Sequence, residues 1–148
     1  MKLLLARPHD FIVKLMSETA IALGLEPVRL SSLDELRGLP GLEFVGAVVS
    51  LAPTSTVRAS PGEVHAALRA RWPTKPLVVT GLSTLASARQ GVRVDLPGVE
   101  LLGFAERPAR AGAALYLSEA DLRASQGAVL DALAAHLRVP RPARSTPR

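Results

Sequence analysis

The chain has 148 residues, 48% of them hydrophobic and 21% charged, which is the size and balance of one folded domain and sets aside disordered and fibrous classes. It has no cysteine, which excludes a disulfide scaffold, a thiolate zinc site and a cysteine nucleophile. Eighteen basic residues against thirteen acidic ones give a net charge of +5 and a pI near 10.7, a balance that invites a polyanion-binding reading until the charges are located.

In chain order, Leu3-Leu4-Leu5-Ala6 is a continuous apolar run of the kind a strand covered on both faces requires. It breaks at Arg7-Pro8-His9-Asp10, too soon for an export signal. No run approaches the length of a membrane span, so a cytoplasmic chain is expected. Asp10 is placed to cap a helix in which Phe11, Ile12, Leu15, Met16, Thr19, Ala20 and Leu23 recur at helical spacing, with Gly24 ending it. Pro27–Leu30 predicts a weaker strand, and Ser31 or Ser32 caps a short helix that stops at Gly38.

Phe44–Val49 is the strongest strand signal in the chain, unbroken and uncharged, and a hydroxyl-rich loop, Ser50 to Thr56, follows it. Ser60-Pro61-Gly62-Glu63 is a capping box with proline at the first helical position. It opens a helix that ends near Trp72-Pro73. Pro76–Gly81 predicts the fourth strand and 82–90 the helix after it. Residues 91–111 are ambiguous, with Val99–Phe104 readable as a strand or a helical turn, and Ala113–Leu117 predicts the last strand. Ser118 then caps a helix that keeps Leu122, Val129, Leu133 and Leu137 on one face. Residues 138–148 hold Arg138, Arg141, Arg144 and Arg148 with three prolines and no acid, which leaves fourteen basic against thirteen acidic residues before them. That segment reads as a basic, disordered tail. The body is nearly neutral.

Strands and helices thus alternate five times, which predicts a three-layer α/β/α sandwich on a five-stranded parallel sheet of order 2-1-3-4-5. The functional crevice of such a sheet lies at the carboxyl ends of its strands, here Arg7 to Asp10, Ser50 to Thr56 and Thr80 to Ser83.

The strand and helix from Lys2-Leu3-Leu4-Leu5, the Leu23–Val28 passage, the Val78-Val79-Thr80-Gly81 strand end and the Gly112–Leu117 run stand in an order and spacing that resemble a response-regulator receiver domain over residues 1–137. The resemblance implies a bacterial two-component signalling module. It also implies an acidic pair after the first strand to hold magnesium, an aspartate after the third to take phosphate, a Ser or Thr after the fourth and a lysine after the fifth. Hard oxygen ligands suit the cation, and hydroxyl and ammonium groups neutralise phosphoryl oxygens. The chain departs from this pattern at all but one place. Arg7 and Pro8 stand where the acids would be and Ser50 where the aspartate would be. Ser118 or Glu119, with Glu119 carried as the counterpart, stands near the lysine position, and only Thr80 matches. Arg7 is read as filling the cation's place with its own guanidinium.

The reading is therefore a degenerate pseudo-receiver without cofactor or metal, not an enzyme, that binds other signalling proteins independently of phosphorylation. The resemblance implies a partner or homodimer surface on the fourth helix, fifth strand and fifth helix, here Leu82–Gln90, Ala114–Leu117 and Leu122–Leu137 with Tyr116 and Leu122 among its residues. The insertion at 91–111 beside it either adds Leu101, Leu102 and Phe104 to that surface or packs them over the sheet edge. The alternatives are a small ligand or phosphate held at Arg7–Asp10, Ser50–Thr56 and Thr80, or weak polyanion binding through the tail. Asp95 mimics a phosphoacceptor motif, but too little chain follows it to supply the remaining strands. No Gly-x-Ser-x-Gly elbow surrounds Ser50 to make a hydrolase with His9 and Asp10. His9, His65 and His136 fall on separate elements, which argues against a metal cluster. No dinucleotide or Walker loop follows a strand. Aromatic residues make up 3% of the chain and no basic stripe runs along the body, so nucleic-acid binding is not expected of it.

Overall fold

A computed structural model describes residues 1–106, 112–124 and 126–141. The apolar runs form six strands: β1 (Lys2–Arg7), β2 (Glu26–Arg29), β3 (Phe44–Ser50), β4 (Leu77–Gly81), β5 (Leu101–Gly103) and β6 (Ala114–Ser118). All pair in parallel in the order β2-β1-β3-β4-β6-β5. The expected five-strand order is present, with β6 in the place of the fifth strand and β5 added outside it. The strand is one of the two readings open for Val99–Phe104, since three strand residues without β-branched side chains carry too weak a period to decide it against a helical turn.

The helices are α1 (Asp10–Ala22), α2 (Pro61–Arg71), α3 (Leu85–Asp95), α4 (Glu119–Ala124) and α5 (Gln126–Leu137), and a 3-10 helix spans Leu33–Gly38. Their ends follow local chemistry. Ser60 accepts from the Glu63 N–H and Glu63 accepts from the Ser60 N–H, both at 3.1 Å, which closes the expected capping box. Gly24, at φ 76°, ends α1 while the Leu25 N–H reaches the Ala20 carbonyl and the Gly24 N–H the Ile21 carbonyl, a complete Schellman motif. Two expectations are corrected. The cap of α1 is His9, whose ring Nδ1 accepts from the Phe11 N–H, and Asp10 is the first helical residue. The helix after β4 starts later and runs further than 82–90, because Thr84 caps it and Val92 is buried on its inner face.

Strand alternation sorts the core into two faces. Leu4, Ala47, Val49, Val79 and Tyr116 pack toward the 3-10 helix, α2 and α3. Leu3, Leu5, Val48, Val78, Leu115 and Leu117 pack toward α1, α4 and α5. Residues 91–95 of the expected insertion belong to α3, 101–103 form β5, and 107–111 lie outside the described residues. The expected tail falls outside them from residue 142 on, and before that point Arg141 Nε donates to Asp131 Oδ1 at 2.7 Å. Among the described residues no helix is long and apolar enough to cross a membrane.

Candidate functional site

The parallel ladder brings Arg7, Ser50, Thr80 and Ser118 to one edge of the sheet, with Ser50 level with Thr80 and Gly81 level with Ser118. A register shift between Leu5 and Arg7 in the β1–β3 pairing carries Arg7 to the strand end. Its side chain is 4% exposed and reaches across the mouth of the crevice. Nε donates to the Ala59 carbonyl at 2.8 Å, and Nη1 donates to the Ser50 carbonyl at 2.7 Å and the Ala52 carbonyl at 2.6 Å. Nη2 points at the Pro53 carbonyl at a longer 3.5 Å. A planar fork with five N–H groups suits this work, since one side chain can hold a whole loop by its carbonyls. Burial pulls the Arg7 pKa below its ordinary value, and the charge of Asp95 opposes that.

The rest of the crevice is occupied by its own structure. Ser50 Oγ accepts from the Ala52 N–H at 3.1 Å. Ser55 donates to the Pro8 carbonyl at 2.6 Å and accepts from the Val57 N–H at 3.1 Å, so of the loop hydroxyls only Thr54 and Thr56 are exposed. Pro8 and His9 are buried, and His9 lies against Phe11 with ring centres 5.4 Å apart. The space left between Arg7, Pro8, His9, Ile12, Val48 and Thr80 is about 10 Å3, room for about one water molecule.

Glu119 follows this edge by one residue. The ladder ends at Ser118, whose N–H donates to Asp121 Oδ2 while its Oγ accepts from the Asp121 N–H. Glu119 is already in α4 and its carboxylate accepts from Arg123 at 3.2 Å. Asp95 stands at the end of α3, not at a strand end.

The expected partner surface is narrowed by burial. Leu101, Tyr116 and Leu122 are 1–2% exposed and belong to the core: Leu101 and Tyr116 lie on the sheet face under α2 and α3, and Leu122 is on the inner face of α4. Only Leu102 and Phe104 reach the exterior in part, and Phe104 packs against the core on the α1 and α5 side. Tyr116 donates its hydroxyl to the Ser83 carbonyl at 2.6 Å, and burial pushes its pKa up. Gly81 makes room for that ring, since a Cβ there would lie 2.6 Å from the Tyr116 hydroxyl. The backbone acceptors that hold Arg7, the carbonyls of Ala52 and Ala59, carry no sequence signal because any residue supplies them.

With this geometry in hand, comparison with solved structures finds a response regulator receiver protein from Sinorhizobium medicae WSM419, similar at a TM-score of 0.54 and 15% identity over 92% of each chain. The fold is that of a receiver domain. A second structure, assigned as a two-component system response regulator/GGDEF domain protein, matches at a TM-score of 0.48 and 20% identity; it covers 92% of this chain, which spans 45% of that one. No family model matches the sequence, and a search of curated proteins finds no match.

Proposed function

We propose that the chain is a receiver-like signalling module that acts by protein–protein contact, independently of phosphorylation and without catalysis of its own. The observation that carries this reading is the Arg7 guanidinium, buried at the strand ends and bonded to the Ser50, Ala52 and Ala59 carbonyls. A divalent cation there would meet a fixed positive charge in a medium of low dielectric, at a repulsion far larger than in water. Ser50 offers no carboxylate to attack a phosphorus, and the 10 Å3 between Arg7, His9 and Thr80 does not admit a phosphoryl group. The same tightness argues against a small ligand seated between Arg7, His9 and Thr80.

The partners fitting this reading are other signalling proteins of the cytoplasm, met through the exterior of the helices and the β5 side of the sheet. The test is incubation of the full chain with magnesium and either acetyl phosphate or beryllofluoride. Unchanged mass and unmoved amide signals at Ser50 and Thr80 are expected, and a phosphorylated species or shifts at those two residues would overturn the loss of the switch. Binding of duplex DNA that survives both deletion of residues 138–148 and physiological salt would move the reading to a nucleic-acid module.

A further inference from the structure

β5 ends the sheet, and its outward backbone groups are held by two side chains. In a parallel ladder, alternate residues turn their N–H and C=O toward the same neighbour. The Ala114 N–H donates to the Glu100 carbonyl at 2.8 Å, so Glu100 and Leu102 face β6 while Leu101 and Gly103 face away. The two outward groups that bracket Leu102 are the Leu101 carbonyl and the Gly103 N–H. Arg89, from α3, donates Nε and Nη2 to the Leu101 carbonyl at 3.3 and 3.1 Å. Glu106 Oε1 accepts from the Gly103 N–H at 2.7 Å and from Arg89 Nη2 at 2.7 Å.

Together the two side chains supply the donor and the acceptor that one residue of a further strand would supply. Glycine at 103 permits the approach, since a Cβ there would lie 3.1 Å from Glu106 Oε1 and 2.9 Å from Leu85 Cδ2. Both side chains are close to half exposed, 45% and 43%, so their mutual attraction contributes little to stability. Their position on the backbone is the informative part: an unpaired edge is a template for another chain, and charges placed on it close that template.

We propose that the Arg89–Glu106 pair is a removable cap on the sheet edge, and that its release lets two copies of this chain join edge to edge through β5. A second copy is the fitting occupant because the capped groups are self-complementary about Leu102. In an antiparallel pairing centred there, Leu101 of one copy stands opposite Gly103 of the other. Each exchanges N–H and C=O with its opposite, and a two-fold axis generates the second set of bonds.

The test compares the full chain with Glu106→Ala and Arg89→Ala by light scattering across a concentration series, together with hydrogen exchange at the Gly103 amide. The unchanged chain should show a protected Gly103 amide and no edge association. Either variant should self-associate at least tenfold more tightly, and in Glu106→Ala, which frees the Gly103 N–H, that amide should be exposed when dilute and protected again when concentrated. Glu106→Gln keeps the acceptor and should fall between. Folded variants that associate no more than the parent overturn the proposal. So does an association that leaves the Gly103 amide exchanging freely, or an unprotected Gly103 amide in the parent. If Glu106→Ala does not fold, Arg89→Ala, which frees the Leu101 carbonyl and leaves Glu106 on Gly103, decides by light scattering: association no tighter than the parent's overturns the proposal.

Discussion

Arg7 fixes the loop after β3 with one side chain, through the carbonyls of Ser50, Ala52 and Ala59. Because its partners are carbonyls, deleting it orphans acceptors in a site water barely reaches. Arg7→Met should lower stability by about 3 kcal/mol or more, from two or three unpaired buried carbonyls at roughly 1–3 kcal/mol each. Arg7→Lys, with one point charge for three acceptors, should fall between. Urea unfolding followed by Trp72, the single tryptophan, measures both, and an unchanged midpoint for Arg7→Met would mean the loop is held by other contacts.

His136 makes a second residue-scale case. It sits on α5 with Nε2 2.8 Å from the Leu77 carbonyl, and burial first, then the charge of Arg138, lowers its pKa below the ordinary 6.5, partly offset by that hydrogen bond. A lowered folded-state value means that the unfolded chain binds the proton more readily. The stability His136 contributes is therefore complete above pH 6.5 and is lost as pH falls through its folded-state value. The urea midpoint should hold steady above that pH and decline below it, and His136→Gln should flatten the first part of the decline. His65, lowered by burial and by Arg69, adds in the same direction.

At the scale of elements, the chain's local signals decide where helices begin. Ser60 with Glu63, Ser118 with Asp121 and Gly24 act within a few residues of one another, so their roles are legible without a fold. Close approaches between elements are a different matter. Gly46 on β3 leaves room where a Cβ would lie 2.7 Å from the Pro76 carbonyl and 2.9 Å from Leu137 of α5. Gly46→Ala should therefore cost about 1–3 kcal/mol by overpacking, read as a lower melting temperature, whereas the same change at Gly127, which has nothing within 4 Å, should not. The choice of strand over helical turn at β5 and the true span of α3 were undecided for the same reason: three strand residues, and the last turn of a helix carrying Val92 and Val94, take their state from what they pack against. Phe104 could be read beforehand only as apolar, and the side it packs on was open until the sheet was built.

At the scale of the whole molecule, one parallel sheet places residues from four distant segments at a single edge. Sequence was enough to say which positions would meet there, since strand alternation and βα order carry that information, and enough to see that carboxylates are missing from it. It also located the charge, so that a basic pI became a nearly neutral body followed by a basic segment. What Arg7 does in the crevice could not be read, because its partners are backbone carbonyls, identical in every residue and brought near it only by the path of the loop. The cap on β5 is the same kind of fact. Arg89 and Glu106 stand 17 positions apart with no local pattern joining them, and a sixth strand had to exist before there was an edge for them to close. Local propensity and periodicity determined the elements and their order. Hydrogen bonds between groups far apart in the chain decided how the crevice is filled and where the sheet stops.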